Sequence, residues 1–334
     1  MKKLLIALFT CLSLSSFAQQ APIAIVSTTG ATKLTYSLDD AAMLAQDNDI
    51  IYLPGGTFTG NSSYGFRKKV TVVGVGHNPD STNATKTTNI NGNISFYLGA
   101  EGSVLDGVYV TERVYVSSDC KIYRTNADYI EQPWNNISLN LVVEKCIIRS
   151  GFSVFGTGSI NNSVVKNSII GGDYFSIYAT GVLYENDIFL VQGLIANLYL
   201  GPFNTYRNCI FSGVTTWGGN TTSSSFQNNI FATSTVPPLT DSNNAINSIL
   251  NQSSSATFVS QSGGTFAYNQ NYRLKSTSPG VNKGTDGKDI GIYGGNSPWV
   301  DGNIPPNPTI RSKTVDAQTG AGGTLHVRFN VRTQ

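Results

Sequence analysis

A parallel β-helix is the fold class this sequence predicts, and three observations predict it. The first is a period. The phrases "VVEKCIIRS" (142–150), "VVKNSIIGG" (164–172), "LYENDIFLV" (183–191), "TYRNCIFSG" (205–213) and "SFQNNIFAT" (225–233) share one pattern. Their first isoleucines, Ile147, Ile169, Ile188, Ile210 and Ile230, are separated by 22, 19, 22 and 20 residues. Self-similarity at a fixed step of this size marks a solenoid. The second is residue type: the phrases are rich in Val, Ile, Phe and Tyr, which favour strands. The third is punctuation. Gly171-Gly172, Gly201-Pro202 and Gly218-Gly219 break the repeats, while the Leu-x-x-Leu-x-Leu frame of a leucine-rich repeat is missing.

Composition agrees. The chain has 334 residues, of which 40% are hydrophobic and 13% charged, with 34 glycines, 16 tyrosines and 16 phenylalanines. Disordered chains lack such apolar content. A formal charge of +2 and the lack of a Lys/Arg run give no reason to expect a nucleic-acid partner.

Taken in order, the chain opens on "MKKLLIALFTCLSLSSFAQQ", which reads as an export signal. Lys2 and Lys3 precede an apolar stretch from Leu4 to Leu14, and Ser16-Phe17-Ala18 is a small-x-small cleavage site, so residues 1–18 are expected to be removed. Thr10 is a poor residue to precede a lipidated Cys11, and the apolar stretch is too short to span a bilayer. The expected location is secreted or at the outer cell surface, with no transmembrane segment.

Ser37-Leu38-Asp39-Asp40 is a capping-box pattern, and Leu38, Ala41, Ala42 and Ala45 recur at helical spacing. A short helix is therefore expected to cover the first coil, whose open edge would otherwise expose unpaired backbone groups. Strands follow within 47–58 and 68–76. Within the repeats, Asn167, Asn186, Asn208 and Asn228 fall in one column, with Lys145 in its first place. Coils stack about 4.8 Å apart, so these amides are expected to form a ladder along a turn edge. The same geometry separates Cys146 from Cys209 by three coils, about 14 Å, too far for a disulfide. Residues 301–310 form a Pro-rich linker, and alternation from Thr324 to Val331 predicts a closing hairpin. The expected organisation is 1–18 signal, 19–300 β-helix and 301–334 linker with hairpin.

The run Ser37–Gly76, with "GGTF" and "VTVVGVG", resembles the opening of right-handed parallel β-helix proteins of the pectin-lyase-like superfamily. "SPGVNKGTDGKDIGIYGG" (278–295) resembles the last coil of exported bacterial members, so the resemblance spans residues 34–296; the 19–22-residue step itself predicts coils from about 48 to 296. It implies a fold but no single activity, because this fold hosts lyases, hydrolases, esterases, adhesins and inert scaffolds. None of the family's catalytic motifs is matched. The only Asp-Asp pair, Asp39-Asp40, belongs to the helix, and the two histidines, His77 and His326, are far apart.

Two groups of residues are candidates for function. Residues 112–134 concentrate charge: Glu112, Arg113, Asp119, Lys121, Arg124, Asp128 and Glu131. The 39-residue gap from Val108 to Ile147 allows two coils, but the middle phrase is degenerate and expected to carry a loop excursion. A catalytic site would draw on Lys121 or Arg124 as base, with Asp128 and Glu131 nearby and Asp173 further on. Tyr174, Tyr178, Tyr199 and Trp217 lie in the variable halves of successive repeats and could stack on sugar rings. No metal site and no cofactor is expected, calcium entering only with a lyase. The leading expectation is a secreted or cell-surface scaffold that binds a polysaccharide or surface glycan without catalysis. The alternatives are a polysaccharide lyase or glycoside hydrolase, and an adhesin.

Overall fold

A computed structural model describes residues 21–61, 63–133, 136–152, 158–172, 178–191, 197–198, 200–214, 216–217, 221–237, 242–306, 309–320 and 322–332. Residues 1–18, expected to be an export signal, and Asp173, Tyr174 and Tyr199 lie outside the described residues. The chain is an all-β parallel solenoid of about eight turns. Each full repeat contributes one strand to a 12-stranded sheet and one to an 11-stranded sheet, and from Ile50–Tyr52 onward the neighbours of the 12-stranded sheet are parallel strands of successive coils; ahead of them Thr32–Thr35 and Ile23–Val26 pair antiparallel. A third sheet of three strands, Ile137–Leu139, Ser159–Asn161 and Ala179–Thr180, adds a further wall. Among the described residues, no helix is long and apolar enough to cross a membrane.

Parallel stacking puts identical residues above one another, and the interior exploits this. Tyr184, Tyr206 and Phe226 stack with centroids 4.9 and 4.7 Å apart. Phe189, Phe211 and Phe231 form a second pile at 4.7 and 4.9 Å. These distances match the spacing between strands, so one register serves both the ladder hydrogen bonds and the ring contacts. At the N-terminal end the expected helix is present as α1 (Leu38–Leu44), capped by the Ser37 side chain, which accepts from Asp40 N at 3.0 Å. Its Leu38 and Ala41, with the following Ala45, are buried in the same core.

The turn between the two large sheets explains the asparagines differently from the expected ladder. Gly107, Arg124, Lys145, Asn167, Asn186, Asn208, Asn228 and Asn247 occupy this corner in successive coils, with φ between 42° and 70°. This left-handed region is sterically costly for most side chains and least so for Gly and Asn. Backbone conformation therefore selects the residue. The corner amides mostly bond elsewhere. Asn167 Nδ2 donates to Ile292 O at 2.9 Å and Gly294 O at 3.0 Å. Asn208 exchanges bonds with Thr285, and Asn228 Nδ2 donates to Lys283 O at 2.7 Å. A single contact of ladder type links Asn247 Nδ2 to Asn228 Oδ1 at 3.3 Å.

Those partners belong to a strap that corrects the expected coil extent. The parallel ladder closes at Asn244–Ile246 and the Ile230–Ile249 bridge. Residues 278–295, expected as the last coil, instead run back along the outside of the solenoid. Lys283 lies at Asn228, Thr285 at Asn208, Gly295 against Asn186, Ser297 at Glu144, and Asn303 at Lys145. Beneath the strap lies a second core, formed by Ile169, Ile188, Leu190, Ile210 and Ile230 of the 11-stranded sheet with Phe258, Tyr272, Ile290 and Ile292 of the C-terminal segment. The repeated isoleucine thus faces outward, and its neighbour (Ile170, Phe189, Phe211, Phe231) fills the interior. Gly291 is required where it stands: its φ is 93°, and a Cβ would meet Ile210 Cδ1 at 2.6 Å.

Cys120, Cys146 and Cys209 are free and buried. Cys146 and Cys209 share one interior column, separated by Ser168 and Asp187. The hairpin pairs Thr309–Val315 with Val327–Arg332.

Candidate functional site

Following the isoleucine column toward the N-terminus locates the site. In register, Ile249, Ile230, Ile210, Ile188, Ile169 and Ile147 are succeeded by Asn126, Tyr109, Asn89 and Thr57. The residue in step with Ile147 is Tyr109 rather than Val108, because the corner there is Gly107. One outward column therefore changes from aliphatic to polar and aromatic at the point where the isoleucine core ends.

The intervening charged region is a regular coil, contrary to the expected excursion. Lys121–Tyr123 joins the 12-stranded sheet, Arg124 takes the corner, and Asn126–Glu131 joins the 11-stranded sheet. The catalytic candidates are accordingly spread over two sheets. Lys121 is exposed on the first. Arg124 makes a fork on Asp106, with Nε donating to Oδ1 at 2.8 Å and Nη2 to Oδ2. Burial raises the Asp106 carboxyl, against the lowering pull of Arg124. On the second sheet, Asp128 accepts from the Ser150 hydroxyl and lies 4.0 Å from Arg149 Nε, and buried Glu131 pairs with Arg113 at 3.3 Å. Asp106, Asp128 and Glu131 are thus each joined to a guanidinium of their own. Of the aromatic candidates, Tyr178 is exposed, whereas Trp217 packs edge-on against Phe211 and Phe231 at 5.8 and 5.4 Å. Its ring contributes to the core.

The open half of the column carries a cleft of about 340 Å³ lined by Thr57, Asn89, Asn91, Tyr109 and Thr111 of three coils, by His77, Pro79 and Thr87 of the following loop, and by Tyr268 of the C-terminal segment. Its wall is locked. Tyr268 Oη donates to His77 O at 3.0 Å and accepts from Asn126 Nδ2 at 2.9 Å; it also meets His77 Nδ1 at 2.8 Å. Asn303 Nδ2 lies 3.1 Å from His77 Nε2 and donates to Lys145 O at 2.6 Å. An amide N–H facing Nε2 makes that nitrogen the acceptor, which assigns the ring proton to Nδ1. Burial holds His77 neutral, with a pKa of about 3. At the far end Arg149 lies over the Tyr109 ring at 4.7 Å and donates to Asn126 Oδ1, Val110 O and Thr111 O. Further along the face Arg113 covers Tyr129 at 4.9 Å.

Residue-type reasoning missed Asn89, Tyr109, Thr111 and Tyr268. A signal for Tyr109 and Asn126 existed: both stand in the isoleucine register once the corner is set at Gly107 and Arg124. Tyr268 had none. Among the described residues, no group of three or more His, Cys, Asp or Glu is placed to hold a metal ion. Comparison with protein-family models finds none that matches the chain, and comparison with curated proteins finds no match.

Proposed function

We propose that this protein is an exported β-solenoid that binds a polysaccharide or surface glycan along the open half of its 11-stranded sheet, without catalysing its cleavage. One observation carries the reading: a face sealed by apolar packing over its C-terminal coils becomes, in the same register, a polar cleft edged by Tyr109 and Tyr268. Sugar rings stack on aromatic faces and hydrogen-bond through hydroxyls, and strands hold such groups rigidly. The candidate acids Asp128 and Glu131 each face a guanidinium, so both are engaged in ion pairs rather than aimed into the cleft. The export signal supports an extracellular ligand.

The test is a panel of soluble polysaccharides, assayed for retention of the protein and for new reducing or unsaturated ends. Retention without product is expected, with Tyr109→Ala weakening it by about tenfold or more at unchanged secondary structure. Product that disappears in Asp128→Ala or Glu131→Ala would make the protein a glycan-cleaving enzyme.

A further inference from the structure

On the glycan-binding reading just given, we infer that the ligand of this cleft is an uncharged glycan. The lining contains three threonines, two asparagines, two tyrosines, a proline and a histidine, and no Asp, Glu, Lys or Arg. Hydroxyls and amides each donate and accept, which matches a sugar hydroxyl that does both. His77 adds no charge, because its ring is buried, neutral and occupied on both nitrogens. Among the described residues, the Asn89 amide and the Thr87 hydroxyl have no hydrogen-bond partner, so both are available to a ligand.

The charges beside the cleft do not change this balance. Arg149, which lies over the Tyr109 ring, spends its donors on Asn126, Val110 and Thr111 and lies near Asp128. Arg113 is matched by Glu131. A carboxylated or sulfated chain entering here would surrender its hydration without meeting a cation among the lining residues, a costly exchange for a charged group. A neutral chain carries no such cost, and its attraction depends little on salt. The volume of about 340 Å³ lies at the small end of ligand sites, so the cleft holds a short stretch of a chain.

The experiment is affinity electrophoresis of the full chain through gels containing mixed-linkage β-glucan, xylan or galactomannan as neutral polymers. Polygalacturonate, alginate or hyaluronate serve as acidic ones. Each is run at about 20 mM and about 500 mM NaCl, spanning weak to strong screening. Retention by a neutral polymer, equal at both salt concentrations, is expected. Asn89→Ala should weaken it about tenfold, the usual result of losing one hydrogen bond, with an unchanged melting temperature. Retention confined to acidic polymers and lost at high salt overturns the neutral ligand while leaving glycan binding intact. Retention that is unaffected by Asn89→Ala in the folded protein overturns the assignment to this cleft. No retention by any polymer overturns both this inference and the reading beneath it.

Discussion

The outward face of the 11-stranded sheet is one surface with two fates. From Ile147 to Ile249 it presents an aliphatic column, with Ile169, Ile188, Ile210 and Ile230 buried beneath Phe258, Tyr272, Ile290 and Ile292. From Thr57 to Asn126 the same column is polar and aromatic, and its first three residues, Thr57, Asn89 and Tyr109, line a cleft. Strand direction does not distinguish the halves, since both are parallel ladders, with one register shift at Ala127/Tyr129 on their border. Side-chain chemistry does. Burying an aliphatic side chain contributes about 1.5–3 kcal/mol, which draws the strap onto one half. Amides and hydroxyls give no such gain, so the other half remains accessible to a ligand.

The sharpest way to break this contrast is a charge in each half. Ile188→Asp places an unpaired carboxylate in the outer core and should cost several kcal/mol. Hydrogen exchange should rise through residues 254–299 as the strap lifts. Asn89→Asp, the matching change in the open half, should alter stability by less than about 0.5 kcal/mol. Equal melting temperatures for the two variants would show that the halves do not differ in burial.

The second test concerns the border between the halves, where His77 ties the strap to the coils. Its pKa of about 3 in the folded state lies below the ordinary 6.5, chiefly because of burial. The unfolded chain therefore binds more protons, and stability is full above about pH 6.5 and lost as pH falls toward 3. The loss should reach several kcal/mol. Urea unfolding between pH 7 and 4 measures it, and His77→Gln should flatten this part of the profile. A profile identical to wild type would remove His77 as the acid-sensitive group.

The third acts with the opposite sign inside the covered coils. Asp187 is fully buried, its Oδ1 accepts from Ser168 N at 2.7 Å, and burial raises its carboxyl well above the usual range. That contribution is full below the unfolded carboxylate pKa and is lost as pH rises through the folded one. Column neighbours show the remedy: Asn229 accepts from Cys209 N at 2.7 Å and donates to Tyr206 O at 2.9 Å. Asp187→Asn should therefore stabilise the protein at pH 8 by about 1–2 kcal/mol and reduce its slope with pH. A loss of stability at pH 8 would show that the carboxylate is satisfied as an ion.

The smallest effect belongs to the corner that both halves share. Lys145 holds a φ of 57° where the later coils have asparagine. Lys145→Asn should gain about 0.5–1 kcal/mol by easing this conformation, since Glu144, 3.9 Å from Lys145 Nζ, keeps Lys166 at 3.1 Å and the Ser297 hydroxyl. A thermal melt reads the gain, and Lys68→Asn, at a position with ordinary φ, is the control that should show none.

Much of this was written in the sequence, because a parallel solenoid makes every coil solve the same local problem. The 19–22-residue step, the strand-rich phrases, the Asn corner and the separation of Cys146 from Cys209 all follow from stacking at a fixed spacing. Charge density at 112–134 was equally visible, yet it named the wrong kind of structure, since a strand with Arg124 at its corner looks degenerate only when the corner is assumed to demand asparagine. What the sequence could not decide was which face each column took and what covered it. Alternation assigns Ile188 and Phe189 to opposite faces without saying which is inside, because both are apolar and both become buried. The answer comes from a strap that returns across the coils and from contacts such as His77 with Tyr268, 191 residues apart. No period encodes a contact made once, so the cleft and its wall exist only in the tertiary fold.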